Sequence, residues 1–125
     1  MNKKAAVNVA SRKYNPREKI SRRAINSVVQ RIISHYDVEK IILFGSYAYG
    51  NPMEGSDVDI LVVMNHNKTN NRKQMFEISR MLAPREFPMD IIVRTPNDIQ
   101  TRIPQGDWFL KDIVEKGLIL FDRTR

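Results

Sequence analysis

The sequence predicts an α/β (α+β) domain, a small mixed β-sheet flanked by helices. Three observations carry that prediction. Short apolar runs rich in β-branched residues, Ile41–Phe44, Ile60–Met64 and Ile91-Ile92-Val93, are each bounded by turn signals and read as buried strands. Between and around them lie stretches with helical periodicity. The 125 residues, 42% hydrophobic and 28% charged, suit one soluble globular core.

Taken in order, residues 1–14 show no periodicity and are expected to form a basic flexible tail (1–15) ahead of a single domain (16–125). Asn15-Pro16 reads as a helix start, with Asn as cap and Pro in the first helical position. From there Ile20, Ala24, Val28 and Ile32 recur every four residues, joined by Ile25, Val29, Ile33 and Tyr36. That is one wide apolar stripe, with Lys19, Arg22, Arg23 and Arg31 expected to face water. A first strand is expected at Glu39–Phe44 and a second at Asp57–Met64. Asn65–Asn71 is a polar loop, and Arg72–Leu82 a helix with Met75, Ile78 and Leu82 inward. Ala83-Pro84 stops it. Phe87–Val93 is the third strand, with Asp90 at its head.

Thr95-Pro96 opens a short helix that ends by Pro104. Asp107 caps a further helix whose Phe109, Leu110, Ile113 and Val114 are expected inside, and Gly117 ends it. Leu118–Phe121 is a last strand. Trp108 reads as core or interface, the methionines 75, 81 and 89 as gap-filling core. His35 reads as a surface residue, and His66 has no partner at metal-ligand spacing.

Composition narrows the function classes. With no cysteine, disulfides and thiolate metal sites are excluded, which fits a reducing, cytoplasmic setting. No apolar run is long enough to span a membrane, and Asn8 interrupts the N-terminus before a signal-like apolar segment forms. The net charge of +7 is localised. Residues 1–40 hold ten Lys/Arg against three acids, and residues 41–125 hold eleven of each. The basic excess is either a solvated tail and helix face or a patch for an acidic partner or nucleic acid.

The chemistry concentrates between Ile41 and Met64. The first run breaks abruptly at Gly45-Ser46. Glycine permits a tight turn and close backbone approach, and Ser46 is placed to cap a short helix over Tyr47–Gly50 whose free N–H groups would attract an anion. Asp57 and Asp59 lead into the second run at i and i+2, on one face of a strand. Two carboxylates so close repel each other unless a cation neutralises them, and a hard divalent ion with oxygen ligands is the usual solution.

Gly45-Ser46, ten residues, then Asp57-Val58-Asp59, with Leu-Phe before it, Tyr-Ala-Tyr-Gly within it and Ser56 ahead of the acids, resembles the signature of the DNA polymerase β-like nucleotidyltransferase superfamily. The stand-alone minimal nucleotidyltransferases are the nearest type. The resemblance implies the nucleotidyltransferase fold. It implies transfer of a nucleoside monophosphate from an NTP, with ATP the expected donor, to a hydroxyl. Asp57 and Asp59 would hold two Mg2+ ions, Asp90 would complete the metal site as third carboxylate, and Gly45 and Ser46 would hold the β- and γ-phosphates. Many relatives carry Arg where this chain has Tyr49.

Small stand-alone relatives typically accompany a helical HEPN-type protein, and some are antitoxins that adenylylate that toxin. An HEPN-type partner is therefore the expected acceptor, ahead of a small aminoglycoside-like compound or a purely binding antitoxin. A nucleic acid acceptor is not favoured.

Overall fold

The structure is a computed structural model that describes residue 15 and residues 17–124. The expected basic tail at 1–14 lies outside the described residues. Helix α1 (Arg22–His35) leads to strands β1 (Val38–Phe44) and β2 (Val58–Met64). Then come α2 (Asn71–Leu82), β3 (Met89–Arg94), α3 (Pro96–Arg102), α4 (Trp108–Lys116) and β4 (Leu118–Asp122). The strands form one mixed sheet in the order β3-β2-β1-β4. β1 pairs antiparallel with both β2 and β4, while β2 and β3 run parallel, joined through α2. A parallel pair needs such a crossover, whereas β1 and β2 need only a turn-rich connection.

Strand alternation sends side chains to two helical layers. Ile41, Leu43, Val58, Ile60, Val62, Ile91 and Val93 pack with Ile25, Val29 and Ile32 of α1 and Ile78 and Leu82 of α2. Ile42, Phe44, Leu61 and Val63 pack on the opposite face with Leu110 and Ile113 of α4. Ile41, Leu43, Leu61 and Val62 have no exposed surface at all, and each such enclosed aliphatic chain contributes about 1.5–3 kcal/mol.

The first helix starts later than Asn15-Pro16 suggests. The Asn15 side-chain oxygen accepts from the Arg17 N–H and its carbonyl from the Glu18 N–H, closing a local turn instead. The Ile20 N–H donates to the Tyr47 hydroxyl at 3.0 Å, away from any helical carbonyl. Ser21 then caps α1, its hydroxyl accepting from the Ala24 N–H. Arg31 does not merely face water. Its guanidinium donates to the Met81 carbonyl at 2.9 Å, satisfying an end group of α2.

Two further expectations are corrected. No helix forms over Tyr47–Gly50; residues 46–50 make successive turns. Phe109 and Trp108 are not inside: Trp108 is 75% exposed and Phe109 46%. Residues 109, 110, 113 and 114 span more than the face α4 lays on the sheet, so only Leu110 and Ile113 are enclosed.

Candidate active site

The Gly45 turn, the two acids of the second run and Asp90 come from three chain segments, and the sheet brings them to one end. Antiparallel pairing sets Phe44 opposite Asp59, so the turn that follows β1 begins beside the start of β2. Parallel pairing sets Asp59 directly beside Asp90. The Val58 N–H donates to the Pro88 carbonyl at 3.1 Å, locking the two strand starts together. Asp59 and Asp90 share the alternation of Leu61 and Ile92, which places them on the face covered further along by α3 and α4.

Gly45 has φ +74°, which glycine tolerates and L side chains rarely adopt. A Cβ at this position would fall onto the Asp59 carboxylate. The bare backbone therefore lets the turn and the carboxylate occupy one small volume. Beyond Gly45 its carbonyl accepts from the Ala48 N–H at 3.0 Å and the Tyr49 N–H at 3.2 Å, and the Ser46 carbonyl from the Asn51 N–H at 3.0 Å. The N–H groups of Ser46 and Tyr47 and the Ser46 hydroxyl make no hydrogen bond among the described residues. They are open donors among the described residues. Tyr47 ties the turn down, its ring packed against the α1 side of the core and its hydroxyl holding Ile20. Ser56 is structural: its hydroxyl accepts from the Met53 N–H at 2.8 Å and shapes the connection.

None of the three acids forms an ion pair or a hydrogen bond among the described residues. Asp57 and Asp90 are exposed and Asp59 is half-buried. Burial, followed by the neighbouring charges of Asp90 and Asp57, pushes the Asp59 carboxyl up from 3.8 to about 6. The trio is open: among the described residues no three His, Cys, Asp or Glu side chains converge closely enough to cage an ion as they stand. Asp57 and Asp90 are exposed and without a partner among the described residues, so both can turn toward a cation. The donor set fits a hard divalent ion, with carboxylate oxygens only and room for substrate oxygens.

Phe44, opposite Asp59, meets Phe109 edge-on with ring centroids 5.9 Å apart, and Phe109 meets Trp108 at 6.4 Å. An aromatic step thus forms on this face, and of its three residues Phe109 is the one that helical periodicity assigns to the interior.

Comparison with known proteins shows the family. The nucleotidyltransferase domain family matches residues 22–121, so the chain belongs to the nucleotidyltransferase domain family. A crystal structure of a "putative nucleotidyltransferase" from Sulfolobus solfataricus superposes with a TM-score of 0.58 over 82% of this chain and 81% of that one. At 24% identity that likeness shows the fold. A Methanocaldococcus jannaschii protein named "Putative protein adenylyltransferase MJ0604" is 51% identical over 43 residues. That match covers 33% of this chain and 43% of the relative, so the chain spans less than half the length of that relative. No helix among the described residues is long and apolar enough to cross a membrane.

Proposed function

We propose that this chain is a metal-dependent nucleotidyltransferase that moves a nucleoside monophosphate, AMP from ATP, onto a hydroxyl of a partner protein. The observation that carries the reading is the gathering of Asp57, Asp59 and Asp90, without a cationic partner among the described residues, against the open donors of the Gly45-Ser46 turn. Three clustered, unneutralised carboxylates cost stability, and a surface used only for binding gains nothing from them. That favours an enzyme over an antitoxin acting by binding alone.

In this reading the Ser46 and Tyr47 N–H groups and the Ser46 hydroxyl hold the terminal phosphates of the donor. Asp57, Asp59 and Asp90 hold Mg2+, with Asp90 also placed to accept the proton of the attacking hydroxyl. A metal held there would supply charge neutralisation to the triphosphate and its leaving pyrophosphate. The exposed face carrying these groups leaves an acceptor as large as a protein free to approach. The name of the Methanocaldococcus jannaschii relative supports protein adenylylation, and a helical HEPN-type protein is the proposed acceptor.

Incubation of the chain with such a partner, Mg2+ and ATP labelled at the α-phosphate tests this. Label should enter the partner as one adenylate per modified Tyr, Ser or Thr, and the Asp59→Asn chain should transfer none. Label transfer that survives Asp59→Asn at the wild-type rate overturns the site. A chain that neutralises its partner equally well with and without Asp59 is a binder, not an enzyme.

A further inference from the structure

The triphosphate site lacks a cation of its own in the chain segments that build it. From Ile41 through Asn67 there is no Lys or Arg, while Glu54, Asp57 and Asp59 add negative charge. A triphosphate brought there would meet acids and neutral donors alone. The tertiary structure brings in a lysine from much later in the chain, Lys116.

β4 pairs with β1 so that Leu118 faces Leu43 and Ile119 faces Ile42. Lys116, the last residue of α4, comes immediately before Gly117, and Gly117 lies against the backbone of Leu43, two residues ahead of Gly45. Gly117 makes this possible. A Cβ there would strike the Ile42 side chain and the carbonyl oxygens of Ile113 and Leu43. Without one, the end of α4 lies directly on β1 beside the turn. Because α4 covers the sheet face that carries Asp59 and Asp90, Lys116 rises on the acids' side.

Lys116 is the last residue of α4, with a side chain 68% exposed and a single partner, Asp112, at 3.1 Å. The Asp112 carboxylate holds its ammonium above the ordinary lysine range, and Tyr49 of the turn also acts on it. The salt bridge keeps the ammonium charged, and the packing of Gly117 on Leu43 holds the end of α4 near the turn. Arg85, five residues before Asp90, is engaged elsewhere. Arg85 donates to the Met89 carbonyl at 2.8 Å and to the Ser79 hydroxyl at 2.7 Å. Residues 17–23 come up on the opposite face, where Ile20 is held by Tyr47.

We propose that Lys116 is the phosphate-binding cation of this site, swinging from Asp112 onto the terminal phosphates of a nucleoside triphosphate seated on the Gly45-Ser46 turn. The assignment rests on the nucleotidyltransferase reading above. It gives the structure an answer to Tyr49: the cation comes from the end of α4, across the sheet, and not from the turn itself. Lysine suits the role, since a flexible stem carries a point charge to whichever phosphate oxygen is exposed.

Calorimetric titration with Mg2+ and a non-hydrolysable ATP analogue tests it on wild type, Lys116→Ala, Lys116→Arg and Asp112→Asn. Lys116→Ala should weaken the analogue about tenfold, the loss of one charge-assisted contact. It should leave AMP affinity unchanged and flatten the dependence of affinity on salt. Lys116→Arg should restore most of the affinity, and Asp112→Asn, which frees the ammonium, should keep or raise it. A lysine that only steadies α4 through Asp112 predicts the reverse: Asp112→Asn and Lys116→Ala equally stabilising or destabilising, and neither shifting triphosphate against AMP. Wild-type affinity in Lys116→Ala overturns the assignment of Lys116 alone. Failure of the wild-type chain to bind the analogue with Mg2+ overturns the nucleotide reading and this one with it.

Discussion

Gly45 and Asp59 share one small volume: the α-carbon of the first, held at φ +74°, faces the carboxylate of the second with no room for a methyl group between them. The first strand ends and the second begins in this contact, so the proposed anion-binding turn and the proposed metal-binding carboxylate are set by the same pair of residues.

Gly45→Ala is therefore expected to fail twice. It strains the backbone at positive φ and forces the Asp59 carboxylate aside, a cost of about 1–3 kcal/mol. Thermal unfolding should show that loss and calorimetry should show no binding of Mg2+ with ATP. A folded variant that binds ATP as wild type does would contradict the shared volume.

Asp59 makes the metal-free protein sensitive to pH. Its carboxyl is raised from 3.8 to about 6, so the folded chain holds that proton more tightly than the unfolded chain. The associated stability is complete below about pH 3.8 and is lost as pH rises through 6. In chelator at pH 7.5, Asp59→Asn should be more stable than wild type by roughly 1–2 kcal/mol, allowing for partial exposure. The gap should close by pH 4. Equal melting curves for the two proteins across this range would remove the repulsion from the account.

Ser46→Ala separates ligand binding from folding. The hydroxyl has no partner among the described residues, so its removal should leave the melting temperature in place. Affinity for ATP with Mg2+ should fall by about fivefold to tenfold, the net worth of one hydrogen bond to a charged group. A lower melting temperature with unchanged affinity would make Ser46 structural.

Tyr47→Phe probes the opposite case. The hydroxyl accepts from the Ile20 N–H across 27 positions of sequence, and its loss strands that donor at a cost of about 1 kcal/mol. Hydrogen exchange at Ile20 should accelerate, with the acids and their metal affinity little changed. Unaltered exchange there would show that water replaces the hydroxyl fully.

Much of the chain could be read from local chemistry, because local chemistry decides it. Thr95 with Pro96 and Asp98 forms a complete capping box, and Asp107 accepts from the Leu110 N–H as a helix cap should. The β-branched runs form the central strands. Where local signals competed, the sequence misled. Asn15-Pro16 has the features of a helix start, yet the N–H of Ile20 is taken by Tyr47, and the helix waits for Ser21. The same holds for Phe109, apolar at a helical position but left outside by the angle at which α4 meets the sheet.

Residue order by itself determined the mixed α/β class, the strands and their alternation, the tight turn at Gly45 and the like-charge conflict of Asp57 and Asp59. Each follows from steric or electrostatic rules acting over a few residues. Only the tertiary structure decided that β2 and β3 run parallel with Asp59 beside Asp90, that Gly45 closes on Asp59, and that the end of α4 lies on β1 at Gly117. Those relations depend on register and strand order, which are fixed by burying both sheet faces at once and so are written in no single stretch of the chain.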